Sequence, residues 1–290
     1  MPYNRAAMSD YEATIYDNVE SALAEDVGSG DLTASLVDES ATAVARVVCR
    51  EPAVLCGQPW FDAVFREIDA ATGINWQARD GDRIDADMIV CHIEGRARSI
   101  LTAERCALNF LQTLSGTATA ARAYADAVAG TGATILDTRK TLPGLRLAQK
   151  YAVRCGGGHN HRMGLYDAIL IKENHICSAG GIAAAVQKAR EQHPDVPVEV
   201  EIESPDQLDE ALATTTDVIM LDNFSLQQMR EAVTQNRSAA RPVRLEASGN
   251  VSLETVREIA ATGVDFVSVG GLTKHVQATD YSLQFEQQPD

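Results

Sequence analysis

VPVEVEIESPDQLDEALATTTDVIML, residues 196–221, contains the structural unit that recurs through the second half of the chain. Residues 196–202 and 217–221 are short β-rich runs, apolar almost throughout, as is typical of parallel strands covered on both faces. Between them, Ser204 and Pro205 suit the N-cap and first position of an amphipathic helix. The stretch therefore predicts a strand, a helix and a second strand parallel to the first.

The same alternation continues on both sides of this stretch. The β-rich runs follow one another at intervals of roughly 20–35 residues, each with a helix or loop behind it. The other four runs are 133–138, 167–172, 243–247 and 264–269. Six units predict a parallel β/α barrel. Because eight units take about 250 residues, we expect this α/β barrel to be open or incomplete.

The first hundred residues follow a different pattern. Strand-like runs at 44–57 and 86–101 alternate with turn signals rich in Pro, Gly and Asp. We therefore expect an N-terminal α+β domain over residues 1–112 and the barrel over residues 113–274. The tail, 275–290, is expected to return to the first domain.

Composition excludes several classes of function. The chain has 290 residues and a formal net charge of −16, which argues against nucleic acid or an acidic membrane surface as a general partner. No apolar run reaches the roughly 18–20 residues of a membrane span, and the first twenty residues are too polar for a signal peptide. Six cysteines without a CxxC pair indicate free thiols, so we expect a cytoplasmic protein.

Residues 139–172 concentrate positive charge in this acidic chain, with seven Lys or Arg and one acid. Arginine binds carboxylates through two parallel hydrogen bonds. Arg139, His161, Arg162 and Lys172 therefore predict a substrate with two carboxylates, or with a carboxylate and a phosphate.

Other readings of the basic segment stay open. Arg146, Lys150 and Arg154 recur every four residues, so a solvated surface stripe explains them equally well. A Schiff base on Lys172 is a further alternative. The two histidines of His159-x-His161 lack a third metal ligand at a recognisable spacing.

Polar residues and glycines stand where the barrel strands end, and barrel enzymes build active sites from those ends. Charged groups at four ends predict an active site. Glu201 and Asp222 are suited to hold Mg²⁺, bind ribose hydroxyls or stabilise a developing cation, with a solvated acid pair as the structural alternative. The last two ends, 248–250 and 270–271, offer glycines through which backbone N–H groups approach a phosphate.

The segment 102–116 predicts a helix that is apolar on most sides. Arg105, Asn109, Gln112 and Thr113 form its narrow polar stripe. Because an unpaired charge is costly to bury, Arg105 is expected to face a cavity, a partner chain or an anion.

Several motifs, in order along the chain, resemble one enzyme family. They are EDVGSGDLT (25–33), ERCALNFLQTLSGTAT (104–119), DTRKTLPGLRLAQKYAVRCGGGHNHR (137–162), DAILIKENHI (167–176), VEVE (198–201), IMLDN (219–223), EASGN (246–250) and DFVSVGGLTK (265–274). The chain resembles the quinolinate phosphoribosyltransferases, also called carboxylating nicotinate-nucleotide pyrophosphorylases, over essentially its whole length. The resemblance implies a sandwich-like N-terminal domain and an open barrel. It also implies conversion of quinolinate and phosphoribosyl pyrophosphate (PRPP), with Mg²⁺, to nicotinate mononucleotide, pyrophosphate and CO₂ in de novo NAD synthesis.

The resemblance also implies roles for individual residues. The quinolinate-binding residues would be Arg105, Thr138, Arg139, His161, Arg162 and Lys172. Arg105 would come from the other subunit of a homodimer, and a higher oligomer stays open. Lys140, Glu201 and Asp222 would bind PRPP, the two acids also holding Mg²⁺, and these three would share the catalytic work with Lys172. The 5′-phosphate would lie against Ser248, Gly249, Asn250, Val269, Gly270 and Gly271.

Two rival functions remain at this point. A related barrel phosphoribosyltransferase could act on another substrate, as nicotinate phosphoribosyltransferases and the molybdenum-uptake-associated relatives do. A non-catalytic sensor could bind an anionic sugar phosphate, although such a sensor would not need both Glu201 and Asp222. The Arg and His residues suited to a dicarboxylate favour quinolinate.

Overall fold

A computed structural model describes the backbone of residues 8–286 and the side chains of residues 11–286. Residues 1–7 and 287–290, which the expected first domain and tail include, lie outside the described part. The described residues form two compact units. The barrel unit consists of residues 123–141 and 158–272, and the antiparallel unit consists of residues 8–122, 142–157 and 273–286.

The antiparallel unit consists of an antiparallel sheet and several helices. The strands are β1 (Thr42–Cys49), β2 (Ala53–Val54), β3 (Gly73–Trp76), β4 (Arg83–Ile84), β5 (Ile89–Arg96) and β12 (Tyr281–Phe285). Four of them pair in the order β12-β1-β5-β3, while β2 and β4 pair separately. Because Cys49 in β1 pairs with Tyr281 in β12, the end of the described chain adds the edge strand of this sheet.

The helices of this unit bury large apolar side chains against the sheet. They are α1 (Met8–Asp26), α2 (Gln58–Ile68), α4 (Arg146–Cys155) and most of α3 (Ala97–Ala127). On α2, Trp60, Phe61, Val64 and Phe65 recur at helical spacing and are fully or almost fully buried. Burial of each such side chain contributes roughly 1.5–3 kcal/mol, so this face fixes α2 on the core.

The helix α3 is longer than the predicted segment 102–116 and continues through residue 112, where we placed the domain boundary. Its second half is lined with small buried residues, among them Gly116. A Cβ atom on Gly116 would lie 2.1 Å from the Gln277 carbonyl oxygen, so only glycine lets the two backbones pack this closely.

Six parallel strands form the sheet of the barrel unit. They are β6 (Thr134–Leu136), β7 (Ile169–Ile171), β8 (Val198–Ile202), β9 (Val218–Asp222), β10 (Arg244–Ser248) and β11 (Phe266–Ser268). Their order is β6-β11-β10-β9-β8-β7, and β6 and β7 stand at opposite edges. The sheet is therefore open, and the expected fold class, an α/β protein with an incomplete barrel, is confirmed.

Helices follow the barrel strands and cover one face of the sheet. They are α5 (Glu173–Ala179), α6 (Ile182–Gln192), α7 (Pro205–Leu212), α8 (Leu226–Ser238), α9 (Val256–Ala260) and α10 (Gly271–Lys274). Ser225 and Gln228 form a reciprocal capping box that satisfies free N–H groups at the start of α8. Residues 8–286 contain no helix that combines the length and the apolar character needed to cross a bilayer.

The surface-stripe reading of the basic residues in α4 is wrong for one of them. Lys150 is fully buried, whereas Arg146 and Arg154 are half-buried. The four-residue spacing identified the shared helix face correctly, but that face is turned toward protein.

Substitution of Gly116 tests the close packing of α3. Alanine is the better helix former by about 1 kcal/mol, yet its Cβ would overlap a backbone carbonyl, so we expect Gly116→Ala to lower the free energy of unfolding by 2 kcal/mol or more, as a rough figure. Thermal and urea unfolding midpoints measure this. Gly73→Ala is the control, because its Cβ would meet the nearest atom at 3.8 Å. Equal midpoints for the two variants would contradict the packing argument.

Candidate active site

The predicted site residues lie at one edge of the barrel sheet, because all six strands are parallel and their carboxyl ends share that edge. Across the sheet, the strand ends begin with a basic segment, continue with two glycine loops and two acids, and finish with a lysine. In that order they are Thr138–Lys140, Val269–Gly271, Ser248–Asn250, Asp222, Glu201 and Lys172.

Lys172 and Glu201 form an ion pair across the neighbouring ends of β7 and β8, from Lys172 Nζ to Glu201 Oε2. The lysine side chain is 45% exposed and the glutamate 13% exposed, so the lysine remains accessible to a ligand. A carboxylate partner stabilises the ammonium form, whereas a Schiff base requires the neutral amine. The pairing favours anion binding by Lys172 over imine chemistry.

Three carboxylates converge beside this ion pair. Oxygen atoms of Glu201, Glu203 and Asp222 lie within 4.8 Å of one another. Asp222 is oriented by the Asn223 side chain, whose Nδ2 donates to Asp222 Oδ2 at 2.8 Å. Closely spaced carboxylate oxygens suit Mg²⁺, which binds proteins through one or two carboxylates. The donor set therefore fits a magnesium ion.

The loops after β9 and β10 pack on each other through a glycine that cannot be replaced. Gly249 has a φ of +103°, and a Cβ there would lie 2.2 Å from Asn223 Oδ1. Asn250 Nδ2 donates to the same oxygen at 3.4 Å. Both asparagines adopt the left-handed backbone region. The result is a tight turn that requires glycine at position 249.

The basic segment after β6 packs on the glycine loop after β11. A Cβ on Gly270 would lie 3.2 Å from Lys140 Cδ and 3.5 Å from Thr138 Oγ1. The Lys140 backbone N–H donates to Thr138 Oγ1 at 3.1 Å, and the Lys140 side chain is exposed. An anion against Gly270 would therefore be within reach of an ammonium group.

The barrel unit contains a buried polar cluster that we did not predict from the sequence. We predicted apolar strand interiors, but Glu199 in β8 and Glu246 in β10 are buried at 2% and 0% exposure. His161 Nε2 lies 2.9 Å from Glu199 Oε2 and 3.7 Å from Glu246 Oε2. The face of the sheet that carries these acids is mixed, since Met220 and Phe266 pair with acidic residues on it and are also buried.

The cluster orients the imidazole ring of His161. The backbone N–H of Arg162 donates to His161 Nδ1 at 2.8 Å, so the ring proton is on Nε2 and is donated to Glu199. Asp137, also buried, accepts the backbone N–H of His161 at 2.9 Å. Both ring nitrogens are thus occupied by protein groups, and direct contact of His161 with quinolinate stays a prediction.

Glu246 is held in its neutral form. Burial raises the pKa of the Glu246 carboxyl well above its usual value, and the nearby charge of Glu199 raises it further. A protonated Glu246 can donate to the Glu199 carboxylate, so one negative charge remains where two would repel. The sequence did contain a signal, since Glu199 and Glu201 are two residues apart and alternation places both on the same face of β8.

The remaining predicted residues lie as follows. Arg162 is buried in the barrel unit, where its Nη1 donates to the Ala168 carbonyl at 3.3 Å. Arg139 is half-buried beside exposed Lys140. Arg105 belongs to the antiparallel unit and is exposed on α3, in agreement with the polar stripe. Within the described residues, no cluster of three candidate metal ligands includes His159.

Replacement of Glu246 tests its neutral state through the pH dependence of stability. Because its folded-state pKa lies above the unfolded value of about 4.3, the native state binds one more proton than the unfolded state between those values. Wild-type stability is therefore expected to fall with rising pH, at most by about 1.4 kcal/mol per pH unit from this group.

Glu246→Gln keeps a donor for Glu199 and does not titrate, so its unfolding free energy should fall less steeply with pH. Urea unfolding between about pH 5.5 and 8 measures both slopes. Glu258→Gln, at an exposed glutamate of the same unit, is the control and keeps the wild-type slope. Identical slopes for Glu246→Gln and wild type would show that Glu246 is ionised in the folded protein.

Comparison with known proteins identifies two family models that together cover most of the chain. Residues 31–115 match the quinolinate phosphoribosyl transferase N-terminal domain, and residues 117–284 match the C-terminal domain of that family. A Mycobacterium leprae protein named nicotinate-nucleotide pyrophosphorylase [carboxylating] is 42% identical over 274 residues, which cover 92% of this chain and 95% of the relative.

Two further relatives agree with these matches. A Bacillus subtilis protein named probable nicotinate-nucleotide pyrophosphorylase [carboxylating] is 38% identical over 260 residues, 89% of each chain. Among solved structures, the nicotinate-nucleotide pyrophosphorylase from Francisella tularensis superposes with a TM-score of 0.92 at 46% identity, covering 98% of both chains.

Proposed function

This chain belongs to the quinolinate phosphoribosyltransferase family, and we propose that the open edge of its barrel sheet is the site at which that reaction takes place. The enzyme transfers the phosphoribosyl group of PRPP to quinolinate with loss of CO₂. The products are nicotinate mononucleotide, pyrophosphate and CO₂, which places the reaction in de novo NAD biosynthesis. The observation that carries the site assignment is the order of basic, glycine and acidic groups along a single sheet edge.

The two glycine loops receive the 5′-phosphate of PRPP. Gly249 packs against the Asn223 side chain and Gly270 against the Lys140 side chain, and the backbone N–H groups of these loops bind the anion. Residues Ser248, Asn250, Val269 and Gly271 complete these loops, which lie on adjacent strands. Lys140 extends over Gly270 and binds the pyrophosphate group.

The carboxylates next to these loops bind the ribose. Glu201 and Asp222 accept hydrogen bonds from its hydroxyl groups and, with PRPP bound, hold Mg²⁺. A magnesium ion held by these acids would supply positive charge that offsets the charge of the pyrophosphate group. As pyrophosphate leaves, positive charge develops on the ribose ring, and the fixed negative charge of Glu201 stabilises it.

The cationic groups at the two edges of the sheet bind quinolinate. Lys172 is paired with Glu201 and follows β7, Thr138 and Arg139 follow β6, and His161 and Arg162 lie between α4 and β7. They orient the pyridine nitrogen toward the sugar carbon, so positioning supplies much of the acceleration. Once the ring nitrogen is positively charged, the adjacent carboxylate leaves as CO₂, because the electrons left on carbon lie next to a cation. A proton then replaces the carboxylate.

Arg105 completes the quinolinate site from the partner subunit of a homodimer. Its exposure on an otherwise buried helix supports this proposal, since the exposed stripe is available to another chain. We also propose that the protein acts in the cytoplasm, which its six free cysteines support.

A product assay tests the proposed function. The protein is incubated with PRPP and Mg²⁺ and either quinolinate labelled in its carboxylates or nicotinate. We expect labelled CO₂ and nicotinate mononucleotide from quinolinate, in equal amounts, and neither release of CO₂ nor mononucleotide from nicotinate. Mononucleotide formed from nicotinate would instead identify the related activity that does not decarboxylate, and binding without turnover would identify a sensor.

Hybrid dimers test whether Arg105 acts across the interface. A dimer of one Arg105→Ala chain and one Lys140→Ala chain, isolated through two affinity tags, has one intact site if Arg105 serves the partner. Its turnover should be about half that of wild type, although each parent homodimer is nearly inactive. A dimer of wild-type and doubly substituted chains is the reversed control and should be nearly inactive. The opposite pattern would place Arg105 in the site of its own chain.

A further inference from the structure

Two cysteines of the antiparallel unit lie next to each other, although 99 positions separate them in the sequence. Cys56 precedes α2 and is fully buried, and Cys155 is the last residue of α4. Their sulfur atoms lie within 4.8 Å of each other and of a carboxylate oxygen of Asp80. The proposed transfer reaction uses neither residue.

We propose that Cys56 and Cys155 form a reversible oxidation site, at which a hydroperoxide converts the two thiols into an intramolecular disulfide. The proposal concerns this pair alone and does not depend on the function proposed above. The backbone at each cysteine is held in place by a hydrogen bond with a neighbouring side chain. Arg122 Nη2 donates to the Cys155 carbonyl at 3.2 Å, and Ser115 Oγ accepts the Cys56 N–H at 3.0 Å.

Cys155 is the sulfur that reacts first. The neighbouring Cys56 side chain lowers the pKa of the Cys155 thiol, and burial opposes this effect. Burial raises the pKa of Cys56, which therefore remains a thiol. Thiolates, rather than thiols, attack peroxides, and Cys155 is also the less buried of the two.

A cavity of about 750 Å³ lies beside this region, although neither cysteine is among its lining residues. Asp80 does line it, and a carboxylate oxygen of Asp80 lies within 4.8 Å of both cysteine sulfurs. Tyr151 donates its hydroxyl hydrogen to Asp80 Oδ2 at 2.8 Å, so the two groups are fixed at the cavity wall. Because Cys155 is half-buried and Cys56 is fully buried, a small hydroperoxide reaches Cys155 first.

The chemistry balances in two steps. The Cys155 thiolate attacks the terminal oxygen of the hydroperoxide, the O–O bond breaks, and the alcohol or water leaves with the proton, which gives a sulfenic acid. The Cys56 sulfur then attacks the sulfenic sulfur, the S–O bond breaks, and water leaves with the Cys56 proton. Two thiols lose two electrons and two protons in total, and the peroxide gains them. A dithiol reductant reverses the result by exchange.

A metal site is the rival for these residues, and the contacts favour the disulfide. Cys56, Cys155 and Asp80 supply three candidate ligands, whereas structural zinc sites are almost always built from four. Asp80 is also engaged already, since Oδ1 accepts the Gly57 N–H at 3.0 Å and Oδ2 accepts from Tyr151. A disulfide requires only that the two sulfurs, which lie within 4.8 Å, move closer by no more than about 3 Å.

Peptide mapping of the native protein tests the proposal without any substitution. Trypsin places Cys56 in the peptide 51–66, Cys155 in 155–162 and exposed Cys177 in 173–188. After treatment with one equivalent of hydrogen peroxide and alkylation of the remaining thiols, we expect peptides 51–66 and 155–162 to be joined. The joined species should form at least about tenfold faster than Cys177 is oxidised, and dithiothreitol should separate it.

Two single variants test the order of the steps. In Cys56→Ser, peroxide should leave a sulfenic acid on Cys155 that a cyclic 1,3-dione labels. In Cys155→Ser, Cys56 should remain reduced. Cys177→Ser, the matched control, should form the joined peptides at the wild-type rate.

Several outcomes would overturn the proposal. One is a joined species that forms only in urea, and another is oxidation at Cys177 while Cys56 and Cys155 remain fully alkylated. A dione adduct on Cys56 in the Cys155→Ser variant would contradict the assigned order. Protein isolated with one equivalent of zinc, released when either cysteine is replaced, would show that the pair is a metal site.

Discussion

The parallel pairing of six strands is the constraint on which this structure depends. Parallel strands present all their carboxyl ends at one edge, so residues far apart in the sequence meet there without a dedicated loop for each. Because β6 and β7 are the two edge strands, the basic segment after β6 and Lys172 after β7 stand at opposite ends of the row. The acids and glycine loops lie between them in the strand order.

Burial of charge inside the barrel unit is the second physical feature that supports the site. Two glutamates and a histidine share one compartment, and this is stable only because one carboxyl keeps its proton and the other accepts hydrogen bonds. The arrangement fixes the tautomer of His161 and, through its Nδ1, the backbone at Arg162. The position of the segment at His161 and Arg162 thus depends on buried carboxylates beneath it.

Close backbone approach is the third feature, and glycine enables it in both units. In the antiparallel unit Gly116 admits the Gln277 carbonyl against a long helix, and in the barrel unit Gly249 admits the Asn223 side chain. The first contact stabilises packing, whereas the second shapes a loop assigned to phosphate. Glycine thus permits close packing in one unit and shapes a proposed binding loop in the other. The residues around each glycine determine which of these roles it has.

The sequence by itself determined the six barrel strands, their polar ends and the family, because strand burial and motif spacing are local properties that the chain carries in order. It also determined that Arg105 stands on a polar stripe. Only the tertiary structure decided that Lys172 pairs with Glu201, that Lys150 is buried, and that Glu199 and Glu246 share a compartment with His161. The physical reason is that these facts depend on which side chains meet across the sheet. The strand order, in which β11 lies beside β6, determines those contacts. No local sequence pattern encodes this order.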